Sequence, residues 1–165
     1  MYSVNDIVTY GLHGVCKISE IASRNIDGKA VDYYILKPIY DDSSTIAIPV
    51  ENEALTHKMR LPLTKEEIYA LINALPERND IWIENESARV KAYKEALAMA
   101  DMQELLLLFK SLVHRKKEQE HHKKRLHNVD ERFFKNIESA LYNEISYVLE
   151  LNEFEIDTLL QNAIR

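Results

Sequence analysis

Apolar and polar positions follow two different rhythms along this chain. Up to about residue 61 they alternate in short runs, at Ile7–Tyr10, Gly14–Ser23, Val31–Lys37 and Thr45–Pro49, with a shorter stretch near His57–Leu61. Runs of this length and alternation predict strands. The sequence Asn25-Ile26-Asp27-Gly28 predicts a hairpin turn, because Asp-Gly supplies the positive φ angles that such turns require. Tyr40-Asp41-Asp42-Ser43-Ser44 predicts a second turn, rich in side chains that bond their own backbone. The chain's three glycines, at 11, 14 and 28, all fall in this stretch. Four or five short strands joined by tight turns predict a small Tudor-like or SH3-like barrel over residues 1–61.

Beyond Pro62 glycine disappears and the rhythm becomes helical. Thr64-Lys65-Glu66-Glu67 has the form of a capping box and opens a helix that ends near Pro76. A second helix is expected over 84–100, with Val90, Tyr93, Ala96 and Leu97 on one face. Asp101 opens a third, whose Leu105–Phe109 run predicts burial on most sides, and Asn128 caps a fourth. Along the fourth, Phe134, Ile137, Leu141, Ile145 and Val148 recur at spacings of three and four. Asn152-Glu153-Phe154-Glu155 caps a last short helix. The expected class is α+β: a small β-barrel over 1–61, then an all-α domain of about five helices over 62–165.

Composition narrows the function. The single cysteine, Cys16, excludes an internal disulfide and any zinc site built on several cysteines, and its place in a strand suits a small buried hydrophobe. No run reaches the roughly 18 apolar residues of a membrane span, and no signal segment opens the chain, so a cytoplasmic protein is expected. Glycine-rich phosphate loops and nucleophile elbows are absent, and no enzymatic activity or cofactor is expected. His114, His121, His122 and His127 lack the spacing of a tight metal site, so no metal is expected either.

Charge is unevenly spread. The net value is −6, yet residues 110–125 carry seven bases against two acids, and residues 129–165 carry three bases against eight acids. A basic segment within an acidic protein suits one oriented anionic contact better than general coating of nucleic acid. Arg89, Lys91 and Lys94 form a second cationic cluster, near the only tryptophan, Trp82. That residue is either part of the core or an aromatic that wedges beside bases.

These residues resemble the CarD/CdnL family of bacterial transcription regulators. The resemblance rests on Asp6–Tyr10, His13-Gly14, Ile26-Asp27-Gly28, Tyr33–Leu36 and Ile46–Asn52 in the first half. Arg89-Val90-Lys91, Ala100-Asp101, Lys124-Arg125-Leu126 and Asp130-Glu131 carry it through the second. The first domain is similar to the module these regulators share with transcription-repair coupling factors. Such a resemblance implies a Tudor-like domain that pairs an edge strand with the β subunit of RNA polymerase. It also implies a helical domain lying on promoter DNA at the upstream edge of the bubble, without sequence-specific reading, to stabilise the open complex. Implied polymerase contacts are Arg24 and the strand Ile46, Ala47, Ile48 and Pro49; Ala47 stands where some members have arginine. Implied DNA contacts are Trp82, Arg89, Lys91, Lys94, Lys123, Lys124 and Arg125. Trp82 precedes Arg89 by seven residues, about two helical turns, where the better-known members have about one. Whether a sigma factor is touched stays open, no membrane is involved, and a monomer is the default. The competing reading is an adaptor built on a Tudor-like module that contacts only protein.

Overall fold

The computed structural model describes all residues from Met1 to Arg165, which form two compact units, Met1–Pro62 and Leu63–Arg165. The first unit therefore runs one residue past the expected boundary.

Its five strands are β1 (Ile7–Tyr10), β2 (Val15–Ile26), β3 (Lys29–Pro38), β4 (Ile46–Pro49) and β5 (Met59–Arg60), all antiparallel in the order β4-β3-β2-β1-β5. The expected barrel is not closed. β4 and β5 occupy opposite edges, and no ladder joins them. β5 is only two residues long, too short to carry a second ladder across to β4. Between these strands lies a helical turn that the strand rhythm hides, α1 (Glu53–Thr56), capped by Asn52, whose side chain accepts from the Leu55 N–H. Asp27 and Gly28, at φ 50° and 80°, make the two-residue turn between β2 and β3, the geometry that matches strand twist. A 3-10 turn at Gly11–His13 joins β1 to β2, and Gly14 follows it at φ 70°, ψ −149°, a region closed to side-chain-bearing residues.

Val8, Tyr10, Cys16, Ile18, Tyr34, Leu36, Ile48 and Met59 form the core of this unit. They are alternate residues of each strand and so share one face. Beyond Ile18 the alternation of β2 flips. A bulge between Ile18 and Glu20 inserts Ser19, whose hydroxyl donates to the Ile35 carbonyl at 3.2 Å. A one-residue shift sends each later side chain to the opposite face. Arg24 thereby shares the face of Tyr33, Ala47 and Pro49, away from the core. Burial pushes the Cys16 thiol up to about 11. Thiolate is the reactive form, so the native chain is expected to resist thiol-reactive dyes at pH 8 and to react fully once denatured. Rapid labelling of the folded chain would show that the thiol is open to solvent.

The second unit contains α2 (Lys65–Ala74), α3 (Glu86–Met99), α4 (Met102–His121), α5 (Asn128–Leu149) and α6 (Glu153–Ala163). Both capping boxes form: Thr64 with Glu67, and Asn152 with Glu155. Asn85 and Asp101 cap α3 and α4. Asn128 does not cap α5. The capping position falls on His127, which makes no side-chain cap bond. Asn128 is already helical, Asp130 is turned into the core, and Glu131 pairs with Lys116 at 3.3 Å. α3 and α5 each end on a non-glycine residue in the left-handed region, Ala100 and Glu150.

Ile137, Leu141 and Ile145 of α5 are fully buried against Phe109 and Leu112 of α4, Tyr93 and Leu97 of α3, and Ile156 and Leu160 of α6. The α5 stripe is rotated slightly from the expected one: Phe133 is buried, and Phe134 and Val148 only half so. A buried carboxylate fixes the entry to this unit, Glu144 accepting from the Leu63 N–H at 2.9 Å. No helix is long and apolar enough to cross a membrane.

Candidate functional site

Each unit presents one surface to judge against the expected contacts. In the first it is the free edge of the sheet. β4 pairs only with β3, with Tyr34 opposite Ile48 and Ile35 opposite Ala47. The Val50 N–H donates to the Asp32 carbonyl at 2.9 Å. Bonded rungs alternate in an antiparallel ladder, so they fall on Ile46, Ile48 and Val50. The main-chain groups of Ala47 then point outward, as does the carbonyl of Pro49, which has no N–H to offer.

The five expected edge-contact residues thus divide. Ile46 and Ile48 turn their side chains to the core and their backbone to β3, so neither is available as expected. Ala47 is exposed and Pro49 half-buried. Arg24, exposed on β2, lies with its guanidinium 5.5 Å from the centre of the Tyr33 ring, a cross-strand diagonal contact. The outward-facing set is Arg24, Tyr33, Ala47 and Pro49.

In the second unit the segment from Arg78 to Glu84, which carries Trp82, is held by one face of α4. Lys110 donates to the carbonyls of Leu75 (3.0 Å), Pro76 (3.4 Å) and Arg78 (2.5 Å). Ser111 accepts from the Ile81 N–H at 3.0 Å. His114 places Nδ1 2.7 Å from Asp80 and Nε2 2.7 Å from the Ile164 carbonyl. Arg115 lies over the Trp82 ring at 4.1 Å. Positions 110, 111, 114 and 115 share one helical face. The basic run, expected to suit one oriented anionic contact, therefore begins, at Lys110, His114 and Arg115, as the clamp on this segment.

Arg89 is not the DNA-facing cation that the resemblance implies. It is buried, and its Nε and Nη2 donate to the two carboxylate oxygens of Asp130 at 2.8 and 3.0 Å. Nη1 donates to the carbonyls of Ile83 (2.9 Å) and Glu84 (3.3 Å). Tyr93 donates to the same Asp130 at 2.8 Å. The Asp130 hydrogen bonds favour the charged guanidinium and raise the Arg89 pKa; burial, followed by the Asp130 bond, holds the Tyr93 phenol well above its ordinary value. Hydrogen-bonded on three nitrogens, Arg89 has no fork left for a phosphate.

Trp82 is half-buried, packed on the helical core, with the Arg89 guanidinium over its ring at 4.3 Å besides that of Arg115. A base approaching the ring would have to displace one of these guanidinium groups. Lys91 and Lys94 lie exposed on α3, with Glu95 3.9 Å from Lys91. Lys123, Lys124 and Arg125 are exposed in the loop before α5. Of the expected DNA contacts the fold brings Trp82, Arg89 and Arg125 to one cleft of about 200 Å³, joined there by Arg115, His127 and Asp130. Lys91, Lys94, Lys123 and Lys124 lie outside it. The signal for the Arg115 role was its helical spacing from Lys110 and Ser111; Asp130, 41 residues from Arg89, left no local signal.

The match to known proteins lies in the first unit. Residues 2–60 match the family described as the CarD-like/TRCF RID domain. That span takes in every strand, the flipped alternation of β2 and the open β4 edge. The first domain of this chain is thus similar to the CarD-like/TRCF RID family, a likeness that supports an RNA-polymerase-interacting, transcription-related protein.

Proposed function

We propose that the chain is a transcription regulator that binds the β subunit of RNA polymerase through the β4 edge and stabilises the open promoter complex. The helical domain contacts promoter DNA at the upstream edge of the bubble without reading its sequence. One observation supports this above the rest: a domain similar to a polymerase-interacting family presents an unpaired strand edge, flanked on one face by Arg24. Strand addition draws affinity from main-chain bonds and specificity from alternate side chains, here Ala47, Pro49 and the neighbouring Arg24 and Tyr33. The exposed cations Lys91, Lys94, Lys123, Lys124 and Arg125 supply salt-sensitive backbone contact. Trp82 has no wedging role in this reading.

Open-complex lifetime, measured with purified polymerase by competitor challenge, is expected to lengthen several-fold when the full chain is added. An unchanged lifetime, with the chain demonstrably bound to polymerase, would leave the DNA part of this proposal without support. One observation favours a protein-only adaptor instead. Trp82 and Arg89, two of the implied DNA contacts, are both engaged inside the domain. An adaptor would capture polymerase and leave forked DNA unbound at low salt.

A further inference from the structure

We propose that the cleft beside Trp82 seats a single DNA backbone phosphate between Arg115 and Arg125. The proposal rests on the DNA-contacting reading above and moves its strongest contact away from Arg89 to a pair that the resemblance does not assign together. Two guanidinium groups lie over the same indole, and they differ in what their N–H groups do. Arg89 spends four of its five N–H donors on Asp130 and two carbonyls. The Arg115 guanidinium makes neither an ion pair nor a hydrogen bond within the chain, and neither does that of Arg125. A guanidinium stacked on an aromatic uses its flat face for the stack and keeps its N–H donors free in the plane. Arg115 is therefore held in place with its donors unspent, the state that costs least to bind an oxyanion.

The surroundings agree with that chemistry. Gln119 lies one turn along α4 from Arg115 and lines the same cleft, as does His127. Arg125 enters from the loop that follows α4, so the two free guanidinium groups reach one space from different elements. Asp130, the carboxylate in the wall, is neutralised by Arg89. Glu84 and Glu86, both exposed, also line the cleft. Their charge opposes a continuous run of phosphates through it and limits the seat to one group between the two free guanidinium groups. Phosphate contacts of this kind position a protein on DNA and carry no sequence information.

The test is filter binding of a radiolabelled forked duplex by the full chain over a series of salt concentrations, with Arg115→Gln and Arg125→Gln beside the wild type. Each variant is expected to bind about fivefold more weakly and to lower the log–log salt slope by about one. Wild-type affinity and slope in both variants would overturn the seat and leave the wider DNA reading intact. A wild-type chain that bound no DNA at low salt would overturn that reading, and the seat with it. Should Arg115→Gln lose its helical circular dichroism, Arg125→Gln decides alone, because that side chain is exposed in a loop and packs in no core.

Discussion

Asp130→Ala is expected to destabilise the helical domain by about 3–5 kcal/mol, the range for a buried ion pair that loses one partner. Arg89 would stay in the core with its Nε and Nη2 donors stripped of acceptors, and Tyr93 would lose the acceptor of its buried hydroxyl. Desolvation of the charged guanidinium was offset by that carboxylate, and nothing else within reach carries a negative charge on the same two nitrogens. The measurement is urea unfolding followed by the far-ultraviolet helix signal, to which the second domain contributes most. Replacing both partners together, Arg89→Met with Asp130→Met, is expected to recover much of the loss, since no uncompensated charge then remains buried. A single-variant loss below about 1 kcal/mol, typical of exposed pairs, would show that water reaches the pair.

A second large effect is expected at the sheet edge. Ala47→Pro should weaken capture of polymerase by the full chain about tenfold or more while leaving its unfolding midpoint nearly unchanged. The ladder places the bonded rungs on Ile46, Ile48 and Val50, and Pro49 already lacks an N–H. Within β4 the outward donor is therefore the Ala47 N–H. Proline there removes that donor without costing the fold an internal bond, and an extended preceding residue is what proline favours. The incoming strand would face the lost bond and an unsatisfied carbonyl of its own. Ala47→Val keeps the N–H while adding side-chain bulk, and should lose far less capture than the proline variant. Equal capture by the proline and valine variants would exclude strand addition at β4.

Local structure was legible in the residues wherever it depends on neighbours in sequence. Asp27-Gly28 announced its turn, and the boxes at Thr64 and Asn152 announced two helix starts, because backbone sterics and short-range hydrogen bonds decide those. The open sheet was not legible. Alternation shows that a strand has a buried face, but whether β4 meets β5 depends on lengths and curvature set across the whole domain. Likewise the bulge at Ser19, which decides the face that Arg24 takes, leaves the alternation of β2 only slightly blurred. Arg89 misled for a related reason. An arginine on a helix reads as a surface cation until its carboxylate is known, and that carboxylate is a helix away. Lys110 posed the same difficulty, its buried amine serving three carbonyls on a segment more than thirty residues earlier.

The clamp on the segment around Trp82 also has a practical side. An indole flanked by two guanidinium groups emits according to how they are placed, and this chain contains one tryptophan. Its intrinsic emission therefore comes from a single spot in the helical domain and reports the packing of α4 against that segment. The first domain adds no indole signal of its own. The molecule carries its own optical gauge, already mounted where the segment, the buried ion pair and the cationic cleft meet.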